Sequence, residues 1–272
     1  MPPAKRRGME FGMEFPVYNY HTHTKRCGHA VGEDEEYIQC GIRAGFQVLG
    51  IADHSPFTGC YTPQNRMYHE HMEGYLRSFR ELKEKYREQV DVRIGFEAEY
   101  FDDYLDELRE LHRISDYLIL GQHTKYKAAP VSFNYECSKQ DALEYANLVC
   151  KGMKTGLFSY LAHPDYYLKG TDDISEEFFA AAHQICRQAC ESQVPLEINV
   201  KGVTDGKKKY RQGEYYGYPN RLFWEIASQY PVVCVYGFDA HKPEFLEDRE
   251  AFAKAQEVVG DLGLTILEEP FL

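Results

Sequence analysis

From residue 16 onward, short apolar runs of strand composition alternate seven times with longer amphipathic runs, and this alternation limits the chain to very few architectures. The strand candidates are 17–20, 48–51, 92–97, 117–120, 158–162, 196–200 and 232–236. Helical patterns separate them at 33–44, 75–90, 104–113, 139–155, 176–192 and 220–229, and a last one covers 243–262. Strands alternating with helices imply parallel strands joined by right-handed crossovers, and this many units favour closure into an α/β barrel over an open sheet. A chain of 272 residues has the usual length of one such barrel. No linker interrupts the array, so 16–272 reads as one domain. Residues 1–15, with three basic residues and a doubled Gly-Met-Glu-Phe, read as a loose tail without assigned function.

Metal-type side chains follow the strand candidates with the same regularity. His21, His23 and His29 come after the first, and Asp53 and His54 after the second. Glu97 and Glu99 end the third, His123 follows the fourth, His163 the fifth, and Asp239 and His241 the seventh. One histidine beyond a strand is ordinary, but recurrence after six of seven is not. In a parallel barrel the C-terminal strand ends share one face, where such folds place their sites. In extended backbone His21 and His23 point the same way and can share an ion. Imidazoles mixed with carboxylates suit Zn, Mn or Fe better than Mg or Ca. His69 and His71 repeat the spacing but fall in a loop or helix start, where i and i+2 do not face each other. With His112 and His183, which sit inside helical patterns, they are left out of the site.

A net charge of −12 argues against a nucleic-acid backbone or an anionic membrane as the main partner. No run approaches the roughly 20 apolar residues of a membrane span, and no signal peptide is evident, so a cytoplasmic location is expected. The eight cysteines form no Cys-x-x-Cys pair and read as reduced core thiols.

The series His21-x-His23, His29, Asp53-His54, Glu97, His123, His163, Asp239-x-His241 resembles the PHP (polymerase and histidinol phosphatase) family, most of all its bacterial histidinol-phosphate phosphatases, over residues 17 to 245. The resemblance implies a distorted (β/α)7 TIM-like barrel with two or three divalent Zn, Mn or Fe ions in a trinuclear centre. His21, His23, Glu97 and Asp239 would hold one ion; Glu97 would bridge to a second with His123 and His163; His29, His54 and His241 would hold a third. Asp53 would orient a ligand, and Glu99 would compete with Glu97 for the bridge if the strand runs that far. The implied reaction is hydrolysis of L-histidinol phosphate to L-histidinol and phosphate, in histidine biosynthesis. Glu97, Asp239 and His241 would act in catalysis, with Asp239, His241 or a metal-bound water protonating the leaving group. Alternatives are another small phosphate ester, a nucleotide or a phosphotyrosine; a non-enzymatic metal-binding module is disfavoured because every ligand position is filled. Lys169 and Lys201 stand where the resemblance places phosphate-holding arginines, replacing a bidentate fork with a point charge. The lysine- and tyrosine-rich stretch 202–219 is either a lid that supplies charge to the phosphate or a solvated loop.

Overall fold

The computed structural model describes residues 14–59, 65–127 and 129–272. Twelve strands occur among them: β1 Tyr18–Asn19, β2 Val48–His54, β3 Asp91–Ala98, β4 Tyr117–Leu120, β5 Thr124–Tyr126, β6 Ala129–Ser132, β7 Tyr160–Leu161, β8 Leu196–Asn199, β9 Lys207–Tyr210, β10 Gly213–Tyr216, β11 Val233–Gly237 and β12 Thr265–Ile266. The helices are α1 Asp34–Ala44, α2 Met72–Tyr86, α3 Leu105–Ile114, α4 Lys139–Lys154, α5 Glu176–Ser192, α6 Arg221–Ala227 and α7 Arg249–Val259. Eight strands form one curled sheet in the order β1-β2-β3-β4-β7-β8-β11-β12, with every neighbouring pair parallel. Past the end of β1 the chain reaches the end of β11: His23 N donates to Ala240 O at 2.8 Å and Ala240 N to His21 O at 3.2 Å.

Strand alternation divides the interior. Leu49 and Ile51 of β2, Val92, Ile94 and Phe96 of β3, and Leu196 and Ile198 of β8 pack outward into the main core with the helices. The other face carries Tyr18, Val48, Ala52, Tyr117, Ile119, Tyr160 and Val235, which fill the space enclosed by the sheet. Two of the hydroxyls find backbone acceptors: Tyr18 donates to Leu267 O at 2.7 Å and Tyr117 to Tyr20 O at 2.6 Å. Further along the same inward positions the residues become polar: His54, Glu97, Glu197, Asn199 and Asp239. The apolar floor and the polar centre are thus two levels of one alternation.

Several elements differ from the sequence expectation. An eighth strand, β12, lies beside β11, and β1 stops at Asn19, whose side-chain amide donates to Thr22 Oγ1 and His21 O while its carbonyl accepts from Phe238 N. The span 243–262 is a 3-10 turn, Pro243–Glu247, followed by α7; Asp248 breaks the two apart and accepts from Ala251 N at 2.8 Å as the cap of α7. Phe15, read as tail, packs against Phe46, Phe238 and Phe252 at 5.2–5.7 Å between ring centroids. The rest of that tail, residues 1–13, lies outside the described residues. The stretch 202–219 is largely the β9–β10 hairpin after a 3-10 turn at Lys201–Asp205. Within the hairpin Lys208 donates to Lys169 O and pairs with Asp172, both near 2.9 Å, so its charge is spent on the neighbouring segment.

Candidate metal centre and its pocket

Glu97 lies one residue before the end of β3, facing inward. Five imidazole nitrogens surround its carboxylate: His163 at 2.9 Å, His54 at 3.0 Å, and His21, His23 and His123 each at 3.4 Å. Beside them His21 Nε2 and His23 Nε2 approach to 3.1 Å, and Asp239 Oδ1 sits 3.2 Å from His23 and 3.7 Å from His21. On the far side His29 and His241 bring their Nε2 atoms to 2.8 Å. All nine side chains expected at the site therefore converge there.

Triads of donor atoms lie within 4.8 Å of one another: His21, His23 and Asp239; His21, Glu97 and His163; His23, His54 and His241; Cys27, His29 and His241. Glu97 Oε2 is buried without a hydrogen-bond donor. A buried carboxylate oxygen without a donor, ringed by nitrogen lone pairs that cannot all be protonated, is costly unless a cation joins them. The donor set fits transition-metal ions.

The electrostatics follow from this crowding. Burial alone would raise Glu97, but His123, His21 and His54 outweigh it and hold the carboxyl well below its usual range. Asp239 is likewise low: burial opposes it, but Lys201, His21 and bonds to His23 and His241 prevail. Burial also disfavours charge on His21, yet the carboxylates of Glu197, Asp239 and Glu97 raise it well above the ordinary histidine value. Burial and the cationic forms of its neighbours push His23 well below that value, and His29 down to about 3.

Surrounding residues fix these ligand candidates. Glu197, which sequence reasoning missed, accepts from His21 Nδ1 at 2.8 Å and so aims Nε2 at the cluster. Its signal was present: Glu197 and Asn199 are polar at alternate positions of an apolar strand. Asn199 Nδ2 donates to Glu197 and, at 3.2 Å, to Asp239. Asp53 accepts from Thr24 N at 2.7 Å and lies 3.8 Å from His23 Nδ1. Glu99 does not compete for the bridging place. The strand ends at Ala98, and Glu99 accepts from Thr124 N at 2.9 Å and His123 N at 3.2 Å while pairing with Arg66. His163 and Asp239 adopt φ of +29° and +52°, a region that side chains other than glycine rarely enter and that clusters at functional sites.

The cluster floors a pocket of about 280 Å³. Lys169 and Lys201 both line it, but neither is idle: Lys169 bonds Asp205 at 2.6 Å, and Lys201 lies 3.7 Å from Asp239. Arg66, only 7% exposed, also lines it and was not anticipated. The 202–219 stretch contributes Asp205 and Tyr218 to the wall but none of Lys207, Lys208 and Lys209. His69 and His71 form an exposed 3-10 turn before α2, and His183 bonds the Tyr230 hydroxyl at 2.9 Å. Neither these nor His112 of α3 line the pocket. Among the described residues no helix is long and apolar enough to cross a membrane.

Residues 19–201 match the PHP domain family. A probable histidinol-phosphatase of Deinococcus radiodurans is 27% identical over 254 residues, covering 89% of this chain and 92% of the relative. A probable histidinol-phosphatase of Schizosaccharomyces pombe is 21% identical, covering 82% and 80%. The crystal structure of histidinol phosphate phosphatase from Lactococcus lactis, complexed with Zn, L-histidinol and phosphate, superposes with a TM-score of 0.70 at 16% identity, covering 93% of this chain and 95% of that one.

Proposed function

The chain belongs to the PHP domain family, and on that premise we propose that it is a metal-dependent histidinol-phosphatase, hydrolysing L-histidinol phosphate to L-histidinol and phosphate in the cytoplasm. The observation that carries the reading is the single buried carboxylate of Glu97 with five imidazoles within 3.4 Å. The relatives' names and the ligands of the Lactococcus lactis structure supply the substrate.

In this reading the sheet is a distorted (β/α)7 barrel, with β12 an addition beside β11. His21, His23, Glu97 and Asp239 hold one ion, Glu97 with His123 and His163 a second, and His29, His54 and His241 a third. Bound divalent metals supply a neutral-pH nucleophile and Lewis-acid stabilisation of the phosphoryl group. The protein's own contribution is to fix and charge the surroundings. Glu197 holds His21 in orientation, and Asp53, 3.8 Å from His23 Nδ1, ties down Thr24 beside it. Lys169 and Lys201, reaching into the pocket from the segments after β7 and β8, neutralise the phosphoryl oxygens, and Arg66 adds a third cation at its wall. The departing alkoxide takes its proton from water held beside Asp239 and His241, just past the end of β11.

Phosphate release from L-histidinol phosphate, compared with generic phosphomonoesters on protein loaded with Zn, Mn or Fe, tests the proposal. A strong preference for histidinol phosphate is expected; equal slow rates on every ester would move the substrate elsewhere. Glu97→Ala is expected to lose bound metal and turnover together, and an active metal-free variant would remove the metal assignment.

A further inference from the structure

The β5–β6 hairpin and the turn after it do more than deliver His123. Ser132 Oγ and Phe133 N both donate to His123 O, at 2.9 and 3.0 Å, so the return strand is locked to the backbone of a ligand candidate. Four residues later Cys137 N donates to Gly170 O at 2.8 Å, next to the pocket residue Lys169. Gly170 is pressed so closely there that a Cβ would stand 2.0 Å from Phe133 O. Phe133 and Cys137 are buried, so residues 134–136 form a short arch clamped at both ends over the pocket.

Two features of the arch lack a purpose in the folded protein alone. Asn134 lines the pocket, and its side-chain oxygen is buried with no donor, an arrangement that is costly unless something supplies an N–H. Beside it Tyr135 lines the pocket mouth at 83% exposure, although its frame is fixed. An exposed aromatic ring on a rigid frame at a pocket rim suits a planar ligand group.

We propose that the arch at 134–136 reads the alcohol half of the ester: Asn134 Oδ1 accepts an N–H from a nitrogen-bearing leaving group, and the Tyr135 ring covers it. The proposal rests on the phosphomonoesterase reading and adds to it the origin of selectivity, because an ester without an N–H leaves the acceptor unpaired.

The test is kcat/KM for L-histidinol phosphate, adenosine monophosphate and p-nitrophenyl phosphate in the metal-loaded wild type, Asn134→Ala, Asn134→Asp and Tyr135→Ala, with metal content measured on each. Asn134→Ala should lower the ratio of histidinol phosphate to p-nitrophenyl phosphate about tenfold, mainly through KM, the size of one lost hydrogen bond. Asn134→Asp keeps an acceptor and should recover most of that ratio, and Tyr135→Ala should also lower it. An unchanged ratio in Asn134→Ala at wild-type metal content, or a parallel loss on all three esters, overturns the proposal. If the wild type prefers adenosine monophosphate and Asn134→Ala flattens that preference, the histidinol phosphate assignment falls and the arch's role stands. Calorimetric binding of L-histidinol, which needs no turnover, decides the point if no ester is hydrolysed: Asn134→Ala should weaken it about tenfold, and equal affinities would refute the assignment.

Discussion

At the level of single residues, the proposed centre is arranged by carboxylates that lie behind its donors. Glu197 is fully buried and holds His21 by its Nδ1, and His21 in turn faces His23, Glu97 and Asp239. Outer partners of this type typically carry 10–100-fold in metal affinity or activity. Glu197→Ala is therefore expected to weaken metal binding by about that factor in competition with a chromophoric chelator, while the fold persists; affinity within twofold of wild type would show that packing alone orients His21. Glu99 works similarly for His123 through the backbone, which is why the second acid of the Glu97-x-Glu99 pair is absent from the cluster. Sequence spacing could not distinguish the two acids, since i and i+2 share a face in any strand that runs through both. What separates them is the end of β3 at Ala98 and the cation Arg66 on the far side.

At the level of elements, the strand ends are shaped to admit side chains from their neighbours. A Cβ on Gly121, just past β4, would lie 2.0 Å from Glu97 Oε1, and one on Gly237, the last residue of β11, 2.4 Å from the Glu197 carboxyl carbon. Each glycine leaves the space that an adjacent strand's acid fills. Gly121→Ala should displace Glu97 and cut metal content and activity far below wild type while secondary structure is kept; full metal content would mean that β3 can yield. Gly74 in α2 is the contrast, since a Cβ there would meet no atom within 4 Å. Gly74→Ala should leave metal content alone and stabilise the fold by about 0.5–1 kcal/mol in denaturant titration, because only helix propensity changes.

For the whole molecule, proton and metal would compete for the proposed set of donors. In metal-free protein, Glu197 and other carboxylates raise His21, and a hydrogen bond to Glu97 raises His163, in both cases against burial. A raised folded pKa means these protonated pairs stabilise the fold in acid and that this contribution fades as pH rises past the raised values. Metal binding needs the neutral imidazoles and so takes over in the same direction. The gain in Tm from added Zn should be large at pH 7.5 and shrink by pH 5.5; an equal gain at both would place the bound ion away from the histidines. Despite the net charge of −12, three cations line the pocket, each with an acid beside it: Lys169 with Asp205, Lys201 with Asp239 and Arg66 with Glu99.

The alternation of apolar and amphipathic runs, and the fall of metal-type residues after six strand candidates, are local properties of the chain. They were legible because side-chain direction in a strand has period two and parallel strands end on one face. Where neighbouring chains meet is not local. The pairing of His21 with Glu197 spans 176 residues, the bond from His23 to Ala240 joins the first strand's continuation to the seventh candidate's end, and Asn134 lies over the pocket only because its arch is pinned to His123 and Gly170. The sequence by itself determined which donors exist and that they share a face. Only the tertiary structure decided which carboxylate faces the donors, which orients them, and which side chains form the pocket above, because those choices depend on packing between segments far apart in the chain.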